Sequence, residues 1–178
     1  MSQPQAGRPI ERIVLLSLDG LYSAIALPIL VERLQGRVVG MCLSRRFGGK
    51  YGSWWTQLKK ATSRSGWDFV IYTMLQLVLF YPMSALAAGL NRILGRRRTV
   101  YPLRQLARRY GIPVFSTREP NNDAVVERIR SLKPDLIVVC YFDHIIRRPL
   151  IEVARCGVIN IHTGLLPAMR GPAPNAWS

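Results

Sequence analysis

An α/β fold, with a mostly parallel sheet covered by helices on both faces, follows from two features of the sequence. Short runs apolar at consecutive positions recur along the chain, as strands buried on both sides require. Between them lie segments of helical length with apolar residues on one stripe. This alternation is Rossmann-like, and in such sheets ligands lie beyond the carboxyl ends of the strands.

RIVLLSL (12–18) is the first strand-like run and VVGMCL (38–43) the second, with a helical SAIALPILVERL (23–34) between them. YPLRQLARRY (101–110) reads as a helix and PVFST (113–117) as a short strand. DAVVERIRSL (123–132) carries Val125, Val126, Ile129 and Leu132 on one stripe, which fits an amphipathic helix. DLIVVCYF (135–142) and GVINIH (157–162) are further strands, separated by a short helical PLIEVAR. Sites are therefore expected just after Phe142 and Ile161. LDGLYS follows the first strand with a single glycine, so a phosphate cradle of the G-x-G-x-x-G or Walker kind is disfavoured.

Residues 44–100 break the alternation and read as an insertion. GGKYGSWW reads as a glycine- and aromatic-rich loop. WDFVIYTMLQLVLFYPMSALAAGL (67–90) is long and apolar, with Lys59, Lys60 and Arg64 before it and Arg92 and Arg96 to Arg98 after it. Asp68, Gln76 and a break at Pro82 argue against a bilayer span, as do α/β elements on both sides that must share one compartment. The open readings are an interfacial segment held by basic flanks, a buried helical insertion and an oligomer contact. Trp54 and Trp55 fit interfacial anchoring and ordinary packing equally well.

The 178 residues fit one domain, 1–178, with the insertion at 44–100. With 49% hydrophobic and 20% charged residues, the chain has material for a core and lies outside the disordered range. Lys+Arg number 25 against 10 Asp+Glu, a net charge of +15 that attracts polyanions: nucleic acid, anionic lipid or phosphorylated substrates. A merely solvated basic surface explains the same count. Cys42, Cys140 and Cys156 have no C-x-x-C spacing, which argues against a disulfide framework or zinc site, suits a cytoplasmic setting and suggests inert buried thiols. The opening MSQPQAGRPIER has no signal-peptide apolar region.

Asn160 and His162 are two apart at the end of a strand, so an extended backbone points both to one face. An amide and an imidazole suit acyl transfer, in which they stabilise an oxyanion while the imidazole moves a proton. On residue types alone, a hydrogen-bonded structural histidine and a turn-capping asparagine explain the pair more simply. No set of residues has metal-ligand spacing.

NIHTGLLPAMRGPAPNAW resembles the signature of the folate-dependent formyltransferase family, in which Asn-x-His precedes Leu-Leu-Pro and a nearby glycine. Upstream, KPDLIVVCYFDHIIRRPLI is similar to the family's strand and loop that hold the folate pterin. The resemblance covers roughly 133–177 at the level of motifs. It implies 10-formyltetrahydrofolate as donor, Asn160 and His162 as catalytic residues, and His144, Ile145, Ile146 and Leu166 around the cofactor. Three departures stand out: Gly164 replaces the usual serine, with a hydroxyl one place earlier at Thr163; Asp143 and His144 occupy a turn that is often less polar, which reads as functional or merely solvent-exposed, with exposure favoured; and the family's catalytic aspartate falls beyond Ser178. None of Asp19, Asp68, Asp123, Asp135 and Asp143 takes that role, so this chain alone is expected to be weak or inactive.

For the acceptor, Arg170-Gly171-Pro172 with Trp177 resembles the methionyl-tRNA and sugar-amine branches. A sugar amine or other small amine ranks slightly ahead of tRNA, and a phosphate-bearing substrate suits the basic surface. A homo-oligomer and a peripheral membrane contact through 67–90 stand as further partners. The rival reading is a truncated, non-catalytic relative that binds folate or a membrane.

Overall fold

The computed structural model describes residues 8–34, 36–45, 54–96 and 100–162. The elements run β1 (Ile13–Leu18), α1 (Leu21–Arg33), β2 (Val38–Ser44), α2 (Trp54–Ile93), α3 (Leu103–Arg109), β3 (Val114–Thr117), α4 (Asp123–Ser131), β4 (Leu136–Cys140), α5 (Arg148–Ile151) and β5 (Val158–Ile161). The strands form one sheet in the order β3-β2-β1-β4-β5, and every adjacent pair is parallel.

Alternation along β1 divides the core. Ile13 and Leu15 pack with Leu27 and Val31 of α1 and with Leu103 and Leu106 of α3. Val14 and Leu16 face the other way, onto Val126 and Ile129 of α4 and Leu150 of α5. Helices therefore cover both faces of β1, and its apolar run is continuous for that reason.

Edge strand β5 departs from the expectation of strands covered on both faces. Ile159 and Ile161 lie beside Val138 and Cys140, yet both are exposed, because no described residue covers that part of the sheet.

Local chemistry fixes the joints. Ser23 caps the start of α1 by accepting from the Gly20 N–H at 3.1 Å. Pro28 cannot donate to the Ala24 carbonyl one turn earlier, and the Tyr101 N–H takes that acceptor at 3.3 Å, tying the approach to α3 onto α1. Asn122 caps α4 through the Ala124 N–H at 2.8 Å. At the other end of α4, the Arg12 guanidinium donates to the Leu132 and Lys133 carbonyls, which have no partner inside the helix. Among the described residues, no buried side-chain nitrogen or oxygen lacks a hydrogen bond.

Helix α2 differs from the sequence reading. Trp54 and Trp55 already belong to it, and it continues through Pro82 without the expected break. It is joined to the body by the Tyr81 hydroxyl, which donates to the Asp19 carboxylate at 3.0 Å, and it carries Val70, Phe80 and Ser84 as buried residues. The other Asp19 oxygen accepts from the Leu103 N–H at the start of α3, also at 3.0 Å. Among the described residues, no helix is long and apolar enough to cross a membrane.

Candidate active site

Register brings the candidate residues to one edge. Ser17 pairs with Cys140 and Cys140 with Ile161, so Leu18, Tyr141 and His162 leave the sheet side by side at the carboxyl ends of β1, β4 and β5. Asn160 lies opposite Val139, a residue of the core on the α4 and α5 face. Strand alternation puts Asn160 on that face, and an extended backbone carries His162 to the same side. Asn160 is exposed and His162 half-buried, so neither is sealed in the interior. The chain has two histidines, and both follow the carboxyl ends of adjacent strands, His144 after β4 and His162 after β5.

The segment after β4 is held by α1, by β1, by β2 and by the turn before α4. Tyr141 adopts a φ of 52°, sparsely populated for a residue with a Cβ, and its ring stacks on Tyr22 with centroids 5.6 Å apart. The Tyr141 carbonyl accepts from the Leu18 N–H at 3.1 Å, which extends the β1–β4 ladder past the strand. Partial burial, with lesser contributions from Cys140 and Tyr22, pushes the Tyr141 hydroxyl up and keeps it protonated.

His144 corrects the reading of an exposed polar turn. Its side chain is only 3% exposed; Nε2 lies 2.9 Å from the Ser44 hydroxyl and 3.5 Å from the Asp143 carboxylate. Its ring packs against Phe142 at 5.2 Å. Asp143 is the exposed member of the pair. His144 thus joins the loop after β4 to the end of β2, across the width of β1. Sequence shows no sign of this, because Ser44 is 100 positions away.

Asn121 was missed altogether. Its amide donates to the Ile145 carbonyl and accepts from the Arg147 N–H, both at 2.8 Å, so one side chain sets the backbone of 145–147. The only signal was Asn-Asn-Asp ahead of a helix, which reads as a cap, and Asn122 is that cap. Held this way, Ile145 is 84% exposed, whereas Ile146 packs onto the core beneath α4 and α5. Leu166, Gly164 and Thr163 lie outside the described residues. Among the described residues, no group of histidine, cysteine, aspartate or glutamate could hold a metal ion.

The thiols are set by burial. It pushes Cys42 up to about 12 and Cys140 to about 11, so both stay protonated and inert. Cys156 is exposed, contrary to expectation.

A sequence model of the formyl transferase family matches residues 49–178, well over half of the chain. The chain belongs to that family. A methionyl-tRNA formyltransferase of Trichlorobacter lovleyi is 42% identical over 83 residues, which cover 47% of this chain and 26% of the relative. One from Clostridium perfringens is 30% identical over 114 residues, 62% of this chain and 37% of the relative. The chain thus spans only 26% to 37% of these relatives' length. Among solved structures, phosphoribosylglycinamide formyltransferase from Streptococcus pneumoniae superposes with a TM-score of 0.51 at 12% identity, covering 94% of this chain and 66% of that one. That likeness shows the shared Rossmann-like formyltransferase fold, including the first β-α-β unit, which lies before the family match.

Proposed function

We propose that the protein transfers a formyl group from 10-formyltetrahydrofolate, a co-substrate, to an amine, with Asn160 and His162 beside the reacting carbon. The observation that supports it is the side-by-side exit of Tyr141 and His162 from adjacent parallel strands, with Asn160 exposed, in a chain of the formyl transferase family. As the acceptor nitrogen attacks the formyl carbon, the Asn160 amide donates to the oxygen on which negative charge gathers. His162 takes the proton that leaves the acceptor nitrogen and returns it to the folate nitrogen whose carbon bond breaks. One C–N bond forms, one breaks and one proton moves, with no oxidant or metal needed. Ile145, displayed by Asn121, supplies apolar surface for the pterin, with the backbone near His144 and Ile146 beside it; Leu166 completes this set in the proposal.

The chain as a whole, 1–178, is read as the amino-terminal domain of such an enzyme, with 44–100 as an insertion, working in the cytoplasm. For the acceptor, the matched relatives' names move methionyl-tRNA ahead of a small or sugar amine, reversing the order drawn from sequence. The net charge of +15 suits a polyanion.

The test is release of tetrahydrofolate from 10-formyltetrahydrofolate over a panel of amines that includes methionyl-tRNA and an amino sugar, alongside donor binding, by a chain long enough to carry the aspartate that the family resemblance expects downstream of His162. His162→Ala is expected to slow transfer by roughly 10²–10⁴-fold, the usual worth of a positioned acid–base group. Asn121→Ala is expected to weaken donor binding severalfold at little cost to the rate at saturation. Transfer undiminished by His162→Ala would remove the histidine from the mechanism. Donor bound but never turned over would favour the non-catalytic binder.

A further inference from the structure

Helix α2 has a buried side and an exposed side. Val70, Phe80 and Ser84 lie on the buried side. On the other side Trp67, Ile71, Leu75, Val78, Leu86 and Leu90 are all at least half exposed, with Trp67 at 63% and Leu86 at 66%. Steps of three, four and eight residues along this series draw one stripe along a helix. At ~1.5 Å per residue the stripe is about 35 Å long. From Trp67 to Leu90 the sequence holds a single charged residue, Asp68. A continuous apolar face of this length marks a contact surface.

The charges at its two ends decide what kind of surface it meets. Lys59, Lys60 and Arg64 precede the stripe; Arg92, Arg96, Arg97 and Arg98 follow it; neither flank has an acidic residue. Lys59, Arg92 and Arg96 are exposed. A second copy of the chain fits poorly. Pairing α2 with itself antiparallel sets one basic flank against the other, and parallel pairing sets each against its own kind, on subunits that each carry a net +15. An apolar stripe between two cationic ends instead complements an anionic bilayer, where acyl chains take the stripe and headgroup phosphates the ends. We propose that α2 docks the protein on the surface of an anionic membrane, lying in the headgroup layer without crossing it. The helix stays joined to the body through the Tyr81–Asp19 hydrogen bond, one residue past the end of β1. The docked bilayer therefore lies close to the carboxyl edge of the sheet, where the candidate site is.

The experiment is flotation of the full chain with vesicles of phosphatidylcholine alone and of phosphatidylcholine with 30% phosphatidylglycerol, at low and at 0.5 M salt. Expected is binding to the anionic vesicles at least tenfold above that to neutral ones, weakened by salt. The double substitution Leu75→Glu with Leu86→Glu should lower it at least a hundredfold. Both side chains are exposed, so circular dichroism and Tm should match the parent. Lys59→Gln with Arg92→Gln and Arg96→Gln should reduce anionic binding about tenfold and leave the neutral background unchanged. No binding to anionic vesicles, or equal binding by the glutamate variant, overturns the proposal. So does a lipid-free dimer that the glutamate variant converts to monomer, since a second copy would then own the face. The readout involves no formyl transfer, so its failure is distinct from failure of the enzyme reading.

Discussion

The Asp135 carboxylate joins three segments at the amino ends of the strands. One oxygen accepts from the Glu11 and Arg12 N–H groups at 3.0 and 3.1 Å, and the other from Arg155 Nε at 2.9 Å. The Glu11 hydrogen bond, then that of Arg155, hold its pKa down at about 2, outweighing the upward push of burial. A depressed carboxylate binds its proton more readily in the unfolded chain, near the usual ~4, than in the folded one. Its stabilisation is therefore complete above about pH 4 and is lost as pH falls from there through 2. Asp135→Asn should cost roughly 1–3 kcal/mol at pH 7 by urea unfolding, and the gap from the parent should close toward pH 2. A gap that persisted at pH 2 would mean the charge is not what matters. In sequence, Asp135 was one aspartate among five. Its role depends on Arg12 and Arg155, 123 and 20 positions away, and no local pattern encodes those distances.

Among the elements, β2 and α4 are fitted to each other at one point. Gly40 sits mid-strand, and a Cβ built there would lie 2.6 Å from Leu132 Cδ1 at the end of α4. The contact is with the tip of one half-buried side chain, which must swing aside once position 40 carries a Cβ. Gly40→Val should lower stability by ~1–3 kcal/mol through overpacking, even though valine favours strands. Adding Leu132→Ala should recover part of the loss in a double-mutant cycle by thermal or urea unfolding. Strictly additive losses would show that the two do not meet. Sequence gave the strand and the helix with boundaries within one or two residues, because apolar period and length are local properties. Helix α2 was legible only as a long apolar segment. Its passage through Pro82 was hidden, since a proline's effect depends on whether packing on both sides holds the helix together.

At the scale of the whole molecule, the buried cysteines report global opening. Cys42 and Cys140 lie in the central strands β2 and β4, one in the core on each face, and Cys156 is exposed near the start of β5. A thiol reagent at neutral pH should modify one cysteine per chain quickly. The other two should react only as fast as the sheet unfolds, and faster in Gly40→Val. Three equally fast thiols would contradict the packing.

Sequence alone determined the parallel α/β class, the strands and most helices, and the family signature, and it set the expectation of a site just beyond the strand ends. Each depends on residues near one another in the chain. Tertiary structure decided that β4 lies between β1 and β5, which brings Tyr141 and His162 out together, and that Asn121 and Ser44 fix the loop between β4 and α5. It also decided which face of α2 is left uncovered. Those outcomes come from strand order and close packing, which join residues far apart in sequence and are settled only when the whole chain competes for the same core.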